Sequence, residues 1–184
     1  MFLLSAIHSQ LLLVDVQEKL APAVVDAEAI TARCAFVLAC ARQLGVPFTV
    51  SEQYPKGLGP TVASLMEAVG NAPRLPKVAF SALGDAALAD RIGGLRGEGR
   101  GQLVLIGIEA HVCVLQTAFD ARRAGYDVFV VADAASSRTV RDRDAGFARM
   151  AAGGISVVTA EMVMFEWLEK AGTADFKSLS QMIR

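Results

Sequence analysis

Short runs of almost entirely apolar residues recur along the chain, and stretches with helical character separate them. The runs cover residues 10–14, 46–51, 75–80, 102–108, 127–131 and 155–158. Strands that are apolar throughout are typical of a parallel sheet buried on both faces. Helices are predicted over residues 26–44, 59–69, 85–95, 111–124 and 141–152, with one or two more at the C-terminus. The alternation predicts a doubly wound, three-layer α/β fold around a six-stranded parallel sheet.

The length of 184 residues favours one domain over residues 1–184. A hydrophobic share of 53% argues against disorder and requires a large core. The net charge of −1 and the lack of a basic tract argue against nucleic acid as a partner. Every apolar run is far shorter than the roughly 20 residues that span a bilayer, and the N-terminus lacks the basic region of a signal peptide. We therefore expect no membrane association and a cytoplasmic location.

The cysteines indicate reduced thiols. Cys34, Cys40 and Cys113 cannot all pair within the chain, and none has zinc-site spacing. Cys34 and Cys40 lie inside a predicted helix, where cysteine is usually a core residue. The glycine-rich residues 96–101 precede a strand, whereas a dinucleotide-binding loop follows one. No metal and no cofactor are expected.

Three polar residues stand at or just beyond strand ends, where ligands bind in doubly wound folds. Asp15 follows the first strand, Lys77 lies in the third, and Cys113 starts a helix after the fourth. Singly, each has an ordinary reading as a turn residue, a solvated cation or a small core side chain. Together they indicate a nucleophile with a base and a counterion. The helix start is expected to favour thiolate over thiol at Cys113.

Several motifs resemble one family over nearly the whole chain. They are LLLVDVQEKL, SEQYPKGLGPT, KVAFSAL, GIEAHVCVLQTAFDARRAGYDVFVVADAASSR and EMVMFEWLEKAGTADFKSLS. The sequence is similar to the isochorismatase-like cysteine hydrolases, particularly to small bacterial hydrolases and the isochorismatase domain-containing proteins of animals. The resemblance implies a six-stranded parallel sheet and a catalytic triad, which falls on Asp15, Lys77 and Cys113.

The resemblance also implies covalent catalysis. Asp15 would take the thiol proton, Cys113 would attack the substrate carbon, and Asp15 would protonate the leaving nitrogen. The oxyanion hole would consist of the backbone N–H groups of Glu109 and Cys113, beside a cis peptide bond between Ile108 and Glu109. Relatives form oligomers, so a homo-oligomer is expected.

Departures from the family pattern bear on the metal and the substrate. Nicotinamidases of this family bind a metal through a histidine motif after the second strand. The corresponding stretch here, SEQYPKGLG, contains no histidine, and the chain has only His8 and His111. Metal-independent chemistry is therefore expected, and nicotinamide is disfavoured as substrate. Ala110 replaces a threonine that is frequent in relatives.

Five residues near the same strand ends are candidates for a substrate pocket: Gln17, Glu52, Tyr54, Phe80 and His111. Gln17 could instead bind backbone groups, and Phe80 could belong to the core. A second set, Met162, Phe165, Trp167 and Leu168, lies on a C-terminal helix and is either core or a contact between subunits.

The leading hypothesis is a metal-independent cysteine hydrolase that cleaves an amide-type C–N bond of a small molecule. One alternative is hydrolysis of an isochorismate-type vinyl ether, which needs no nucleophilic cysteine. Another is a catalytically idle oligomeric subunit used for binding or as a scaffold.

Overall fold

A six-stranded, wholly parallel sheet crosses the protein, and helices cover both of its faces. The computed structural model describes residues 3–183, so residues 1, 2 and 184 of the predicted domain lie outside the described residues. The strands are β1 (Ser9–Val14), β2 (Phe48–Gln53), β3 (Arg74–Lys77), β4 (Gln102–Ile108), β5 (Asp127–Ser136) and β6 (Ser156–Val158). Their order is β3-β2-β1-β4-β5-β6. The predicted fold class is confirmed.

Within residues 3–183, eight α-helices connect the strands or follow them. They are α1 (Ala27–Gln43), α2 (Pro55–Leu58), α3 (Met66–Val69), α4 (Ala86–Gly97), α5 (Cys113–Arg123), α6 (Val140–Ala152), α7 (Ala160–Leu168) and α8 (Ala174–Leu179). None of these helices is both long and apolar enough to cross a membrane.

The sheet divides the core into two parts because neighbouring side chains of a strand point to opposite faces. Leu11 and Leu13 of β1 pack in the core that contains α1 and α7. Leu12 and Val14 pack in the core that contains α4 and α5. All residues of β1 and β4 are buried, which explains why these strands are the most apolar segments of the sequence.

The central strands β1 and β4 meet at the point where the strand order reverses direction. β1 pairs with β2 on one side and with β4 on the other. Ligands of doubly wound folds bind at this position, beyond the carboxyl ends of the strands. Gly107 allows the close approach of β1 and β4, since a Cβ atom there would lie 2.2 Å from the Val14 carbonyl oxygen.

Two sequence-based predictions are wrong in detail. Residues 59–69 do not form one helix: Thr61 makes an isolated bridge with Gln17, and a 3₁₀ turn and α3 follow separately. Gly59, with a φ of 79°, and Pro60 interrupt the helical pattern. The third strand ends at Lys77 rather than at residue 80. The chain turns there, because the Ala79 and Phe80 carbonyl oxygens accept hydrogen bonds from the Lys77 side chain.

Candidate active site

A buried ion pair forms the centre of the candidate site. Asp15 directly follows β1, with a φ of 53°, and Lys77 is the last residue of β3. Lys77 Nζ lies 2.7 Å from Asp15 Oδ2, and both side chains are completely shielded from solvent. A buried charge is tolerated only when it is paired and hydrogen-bonded. Each of these two residues is therefore the buried counterion of the other.

Ser51 fixes the second oxygen of the Asp15 carboxylate. Its hydroxyl, on the neighbouring strand β2, donates a hydrogen bond of 2.7 Å to Asp15 Oδ1, and the contact is buried. One carboxylate oxygen thus faces Lys77 and the other faces Ser51, so the plane of the carboxylate is set by two strands.

The Lys77 ammonium group is fully engaged by the protein itself. In addition to its ion pair with Asp15, it donates hydrogen bonds to Gln53 Oε1 at 2.5 Å, to the Ala79 carbonyl at 3.2 Å and to the Phe80 carbonyl at 3.0 Å. An ammonium group has three hydrogens, and here it faces four acceptors. Lys77 consequently acts as a counterion and as an anchor for the loop after β3.

The Cys113 thiol lies beside this ion pair. Cys113 is the first residue of α5 and is 6% exposed. Burial, and secondly the Asp15 charge, raise the pKa of the thiol to about 12, although Lys77 opposes the shift. The expectation that the helix start favours thiolate is wrong, because the lost hydration and the neighbouring carboxylate outweigh the helix terminus. The resting group is a thiol next to a proton acceptor.

Two backbone N–H groups beside the thiol have no hydrogen-bond acceptor. Within residues 3–183, the Glu109 and Cys113 amides donate to no protein group, whereas the neighbouring Ala110 and Val112 amides donate to the Ser136 and Glu109 carbonyls. The Ile108–Glu109 peptide bond is cis. Unpaired amides next to a nucleophile can bind an oxyanion.

Two of the five predicted pocket residues have structural partners. Gln17 is fully buried; its amide accepts from the Gln53 N–H and donates to the Gln53 and Gly59 carbonyls. This is the backbone-binding alternative considered for Gln17. Glu52 accepts from the Thr61 amide and hydroxyl at 2.8 and 2.7 Å.

The other three predicted pocket residues reach solvent. Tyr54 and Phe80 are 55% and 54% exposed, so the core alternative for Phe80 does not apply. The Tyr54 ring lies against Gly57, where a Cβ atom would come within 2.3 Å of a ring carbon. His111 is half-buried, and its Nδ1 lies 2.9 Å from the Ser137 hydroxyl.

The residues near the end of β2 do not form a metal-ligand set. Among residues 3–183, no three His, Cys, Asp or Glu side chains are grouped so as to hold a metal ion. Glu52, the acidic residue of SEQYPKGLG, is engaged by Thr61.

Sequence reasoning missed two residues of the site, Ser51 and Gln53. Both lie at the end of β2 and contact Asp15 or Lys77 through side chains. Their place next to Glu52, at the carboxyl end of a parallel strand, was the only available signal.

The fold and the site define a class: a doubly wound α/β protein with a thiol and an ion-paired carboxylate at the carboxyl edge of its sheet. The family model for the isochorismatase domain matches residues 9–162. Isochorismatase domain-containing protein 1 of Danio rerio is 40% identical over 173 residues, which are 92% of this chain and 59% of that protein. The chain thus spans about three fifths of this relative's length. Isochorismatase domain-containing protein 2 of Danio rerio is 36% identical, over 98% of this chain and 89% of that protein.

Solved structures agree with this assignment. The MAR1 ribonuclease of Caenorhabditis elegans superimposes with a TM-score of 0.91 at 34% identity, over 99% of this chain and 92% of that one. The Escherichia coli YcaC product, described as an octameric hydrolase of unknown specificity, has the same fold, with a TM-score of 0.88 at 24% identity over 99% of this chain and 91% of that one. The chain belongs to the isochorismatase-like hydrolase family.

Proposed function

We propose that this protein is a metal-independent cysteine hydrolase that cleaves an amide-type C–N bond of a small molecule through a thioester on Cys113. One observation carries the proposal: a carboxylate held by Lys77 and Ser51 lies beside a buried thiol. Thiol, base and anion-binding amides are the parts that acyl transfer requires.

In acylation, the Cys113 proton passes to Asp15 as the sulfur forms a bond to the carbonyl carbon of the substrate. The carbonyl oxygen becomes an oxyanion bound by the Glu109 and Cys113 amides. When the C–N bond breaks, Asp15 returns its proton to the leaving nitrogen. A thiol with a pKa of about 12 suits this order of events, because the proton leaves only as the sulfur attacks.

Deacylation uses the same groups in reverse. Asp15 accepts a proton from a water molecule, whose oxygen attacks the thioester carbon. The C–S bond then breaks, and the proton returns from Asp15 to the sulfur. The net reaction is an amide plus water giving an acid plus an amine. Lys77 stays beside Asp15 as its counterion in both half-reactions.

Three alternative functions would give different experimental results. Hydrolysis of an isochorismate-type vinyl ether would not require Cys113, so it would persist in Cys113→Ala. An idle scaffold would show no turnover that depends on Cys113. RNA cleavage, which the name of one relative suggests, would need phosphate contacts. The net charge of −1 and the internal engagement of Lys77 do not favour that activity.

Self-association into a homo-oligomer is part of the proposal. On α7, Trp167 and Leu168 are buried, whereas Met162 and Phe165 are each 45% exposed. Leu3 lines the same surface depression as Met162 and is 75% exposed. An apolar surface of this kind supports contacts between copies. Light scattering in dilute solution should give a mass above that of a monomer, and a monomer mass would contradict this part.

A screen of small amides, ureido compounds and isochorismate against the wild type and Cys113→Ala tests the activity. We expect at least one C–N substrate whose turnover disappears in the variant. Dialysis against a chelator should leave that turnover unchanged. Activity that survives in Cys113→Ala, or that needs an added metal, would contradict the proposal.

A further inference from the structure

The Gln53 side-chain amide has an orientation that its neighbours determine. Lys77 Nζ can only donate, and it lies 2.5 Å from one end of the amide. The Val78 carbonyl can only accept, and it lies 2.8 Å from the other end. Reversing the amide would place its NH₂ group against the ammonium and its oxygen against the carbonyl. Oε1 therefore faces Lys77, and Nε2 faces Val78.

This orientation directs an acceptor toward the nucleophile. Gln53 Oε1 lies 4.0 Å from Cys113 Sγ. The backbone of Gln53 is fixed as well, because Gln17 accepts from its N–H and donates to its carbonyl. Lys77 occupies one lone pair of Oε1, and the Cys113 thiol donates a long hydrogen bond to the same oxygen. Once the thiol has given up its proton, the second lone pair is free for another donor.

The groups around the sulfur consequently include two acceptors. Asp15 and Gln53 Oε1 both accept, while the four protein acceptors around the Lys77 ammonium leave it no hydrogen for a substrate. A leaving nitrogen that carries hydrogen can donate to Oε1 in such a site. A leaving oxygen presents only lone pairs and would be opposed by Oε1.

We propose that Gln53 is a specificity-determining residue whose Oε1 accepts a hydrogen bond from the N–H of the leaving nitrogen, so that the site selects amides with at least one N–H over esters and fully substituted amides. The leaving atom is bonded to the carbon that sulfur attacks, so a substrate whose leaving group is directed toward Gln53 brings that atom within hydrogen-bond reach of an oxygen 4.0 Å from the sulfur. This inference rests on the proposed function, since it assumes the Cys113 thioester.

The reverse of amide cleavage provides a test that needs no natural substrate. 4-Nitroacetanilide, whose leaving nitrogen carries a hydrogen, would acetylate Cys113 with release of 4-nitroaniline. The acetyl enzyme is then offered hydroxylamine or methanol. Hydroxylamine would form acetohydroxamate and methanol would form methyl acetate, and each reaction restores the Cys113 thiol. The measured quantity is the ratio of hydroxamate to methyl ester at equal nucleophile concentration, which reports on the same N–H contact by microscopic reversibility.

Gln53→Met and Gln53→Asn both withdraw the oxygen from the sulfur, and each should lower this ratio about tenfold, the effect of one hydrogen bond. Gln53→Glu keeps an oxygen near Cys113 and should retain the ratio. Gln181→Met makes the same chemical change at an exposed position and should leave the ratio unchanged.

The outcomes separate the inference from the function on which it rests. If intact-mass measurement finds the acetyl group on Cys113 but the ratio is the same in Gln53→Met, the role of Gln53 is wrong and the proposed function stands. A ratio that falls equally in Gln53→Glu also overturns the inference. If Cys113 is not acetylated in the wild type, the thioester mechanism is contradicted and the inference falls with it.

Discussion

Lys77 Nζ and Asp15 Oδ2 lie 2.7 Å apart, although one residue ends β3, the other follows β1, and neither side chain reaches solvent. Strand β2 lies between β3 and β1 in the sheet, so the ion pair joins residues of two strands that are not neighbours. The pair thereby links the edge strand β3 to the end of the central strand β1.

Removal of one member of this pair should destabilise the fold strongly. Lys77→Met leaves an unpaired buried carboxylate and is expected to cost about 3–5 kcal/mol of unfolding free energy. Adding Asp15→Asn in that background removes the charge and should recover part of the loss. Urea unfolding of both single variants and the double variant measures the coupling.

The matched control is the solvent-exposed pair Arg123 and Asp120, with an N–O distance of 3.0 Å. Arg123→Met should change the stability by less than about 1 kcal/mol. Equal effects at the two pairs would contradict the importance assigned to the buried one.

Two hydroxyl groups on β2 should respond in opposite ways. Ser51 Oγ binds the Asp15 carboxylate, whereas Thr49 Oγ1 is buried and has no hydrogen-bond partner among residues 3–183. Ser51→Ala is expected to cost about 1–2 kcal/mol and to lower kcat, because Asp15 loses a fixed orientation. Thr49→Val should be neutral or stabilising and should keep full activity. Thermal unfolding and kcat are measured for both variants. A loss of activity in Thr49→Val would contradict the expected difference between the two hydroxyl groups.

Gly107 should tolerate no side chain. Its φ is 110°, and an added Cβ would lie 2.2 Å from the Val14 carbonyl oxygen, next to Asp15. Gly107→Ala should separate β1 from β4, reduce the melting temperature and abolish activity. Gly93→Ala adds the same methyl group to exposed helix α4, where nothing lies within 4 Å, and should stabilise by about 0.5–1 kcal/mol. Similar melting temperatures for the two variants would contradict this account.

Features that depend on residues close together in the sequence were predictable, whereas features that depend on contacts between distant residues were not. Apolar runs such as residues 102–108 identify the buried strands, and strands buried on both faces indicate a parallel sheet. The position of Cys113 at a helix start was also predictable, because the helix follows strand β4 after a short loop, residues 109–112.

Contacts between distant residues were not predictable in the same way. Gln53 acquires its role only because Lys77 and Val78, more than 20 positions away, fix its amide. The raised pKa of Cys113 likewise depends on burial and on Asp15. A helical pattern misdescribed residues 59–69, where the Gln17–Thr61 bridge and the Glu52–Thr61 hydrogen bonds determine the path of the chain.

The alkylation of Cys113 should show an unusual dependence on pH. Burial and Asp15 raise the thiol pKa to about 12, so the thiolate fraction keeps increasing as the pH rises past about 8.5, where an ordinary cysteine levels off. The rate of iodoacetamide labelling at Cys113 should rise about tenfold per pH unit up to pH 10, with Cys113→Ala as background. A labelling rate that levels off near pH 8.5 would show that the pKa of the Cys113 thiol is not raised.

The same pKa shift has a consequence for folding. The folded protein holds the Cys113 proton to higher pH than the unfolded chain does, so its contribution to stability is complete below about pH 8.5 and declines as the pH rises toward 12.

The covalent intermediate is the central claim and can be measured directly. An amide substrate from the screen is mixed with the wild type, the reaction is quenched in acid within one turnover, and the protein is mapped by mass spectrometry. The account predicts the acyl group as a thioester on Cys113, with no acyl group and no turnover in Cys113→Ala. An acyl group on another residue, or turnover that persists in Cys113→Ala, would contradict it.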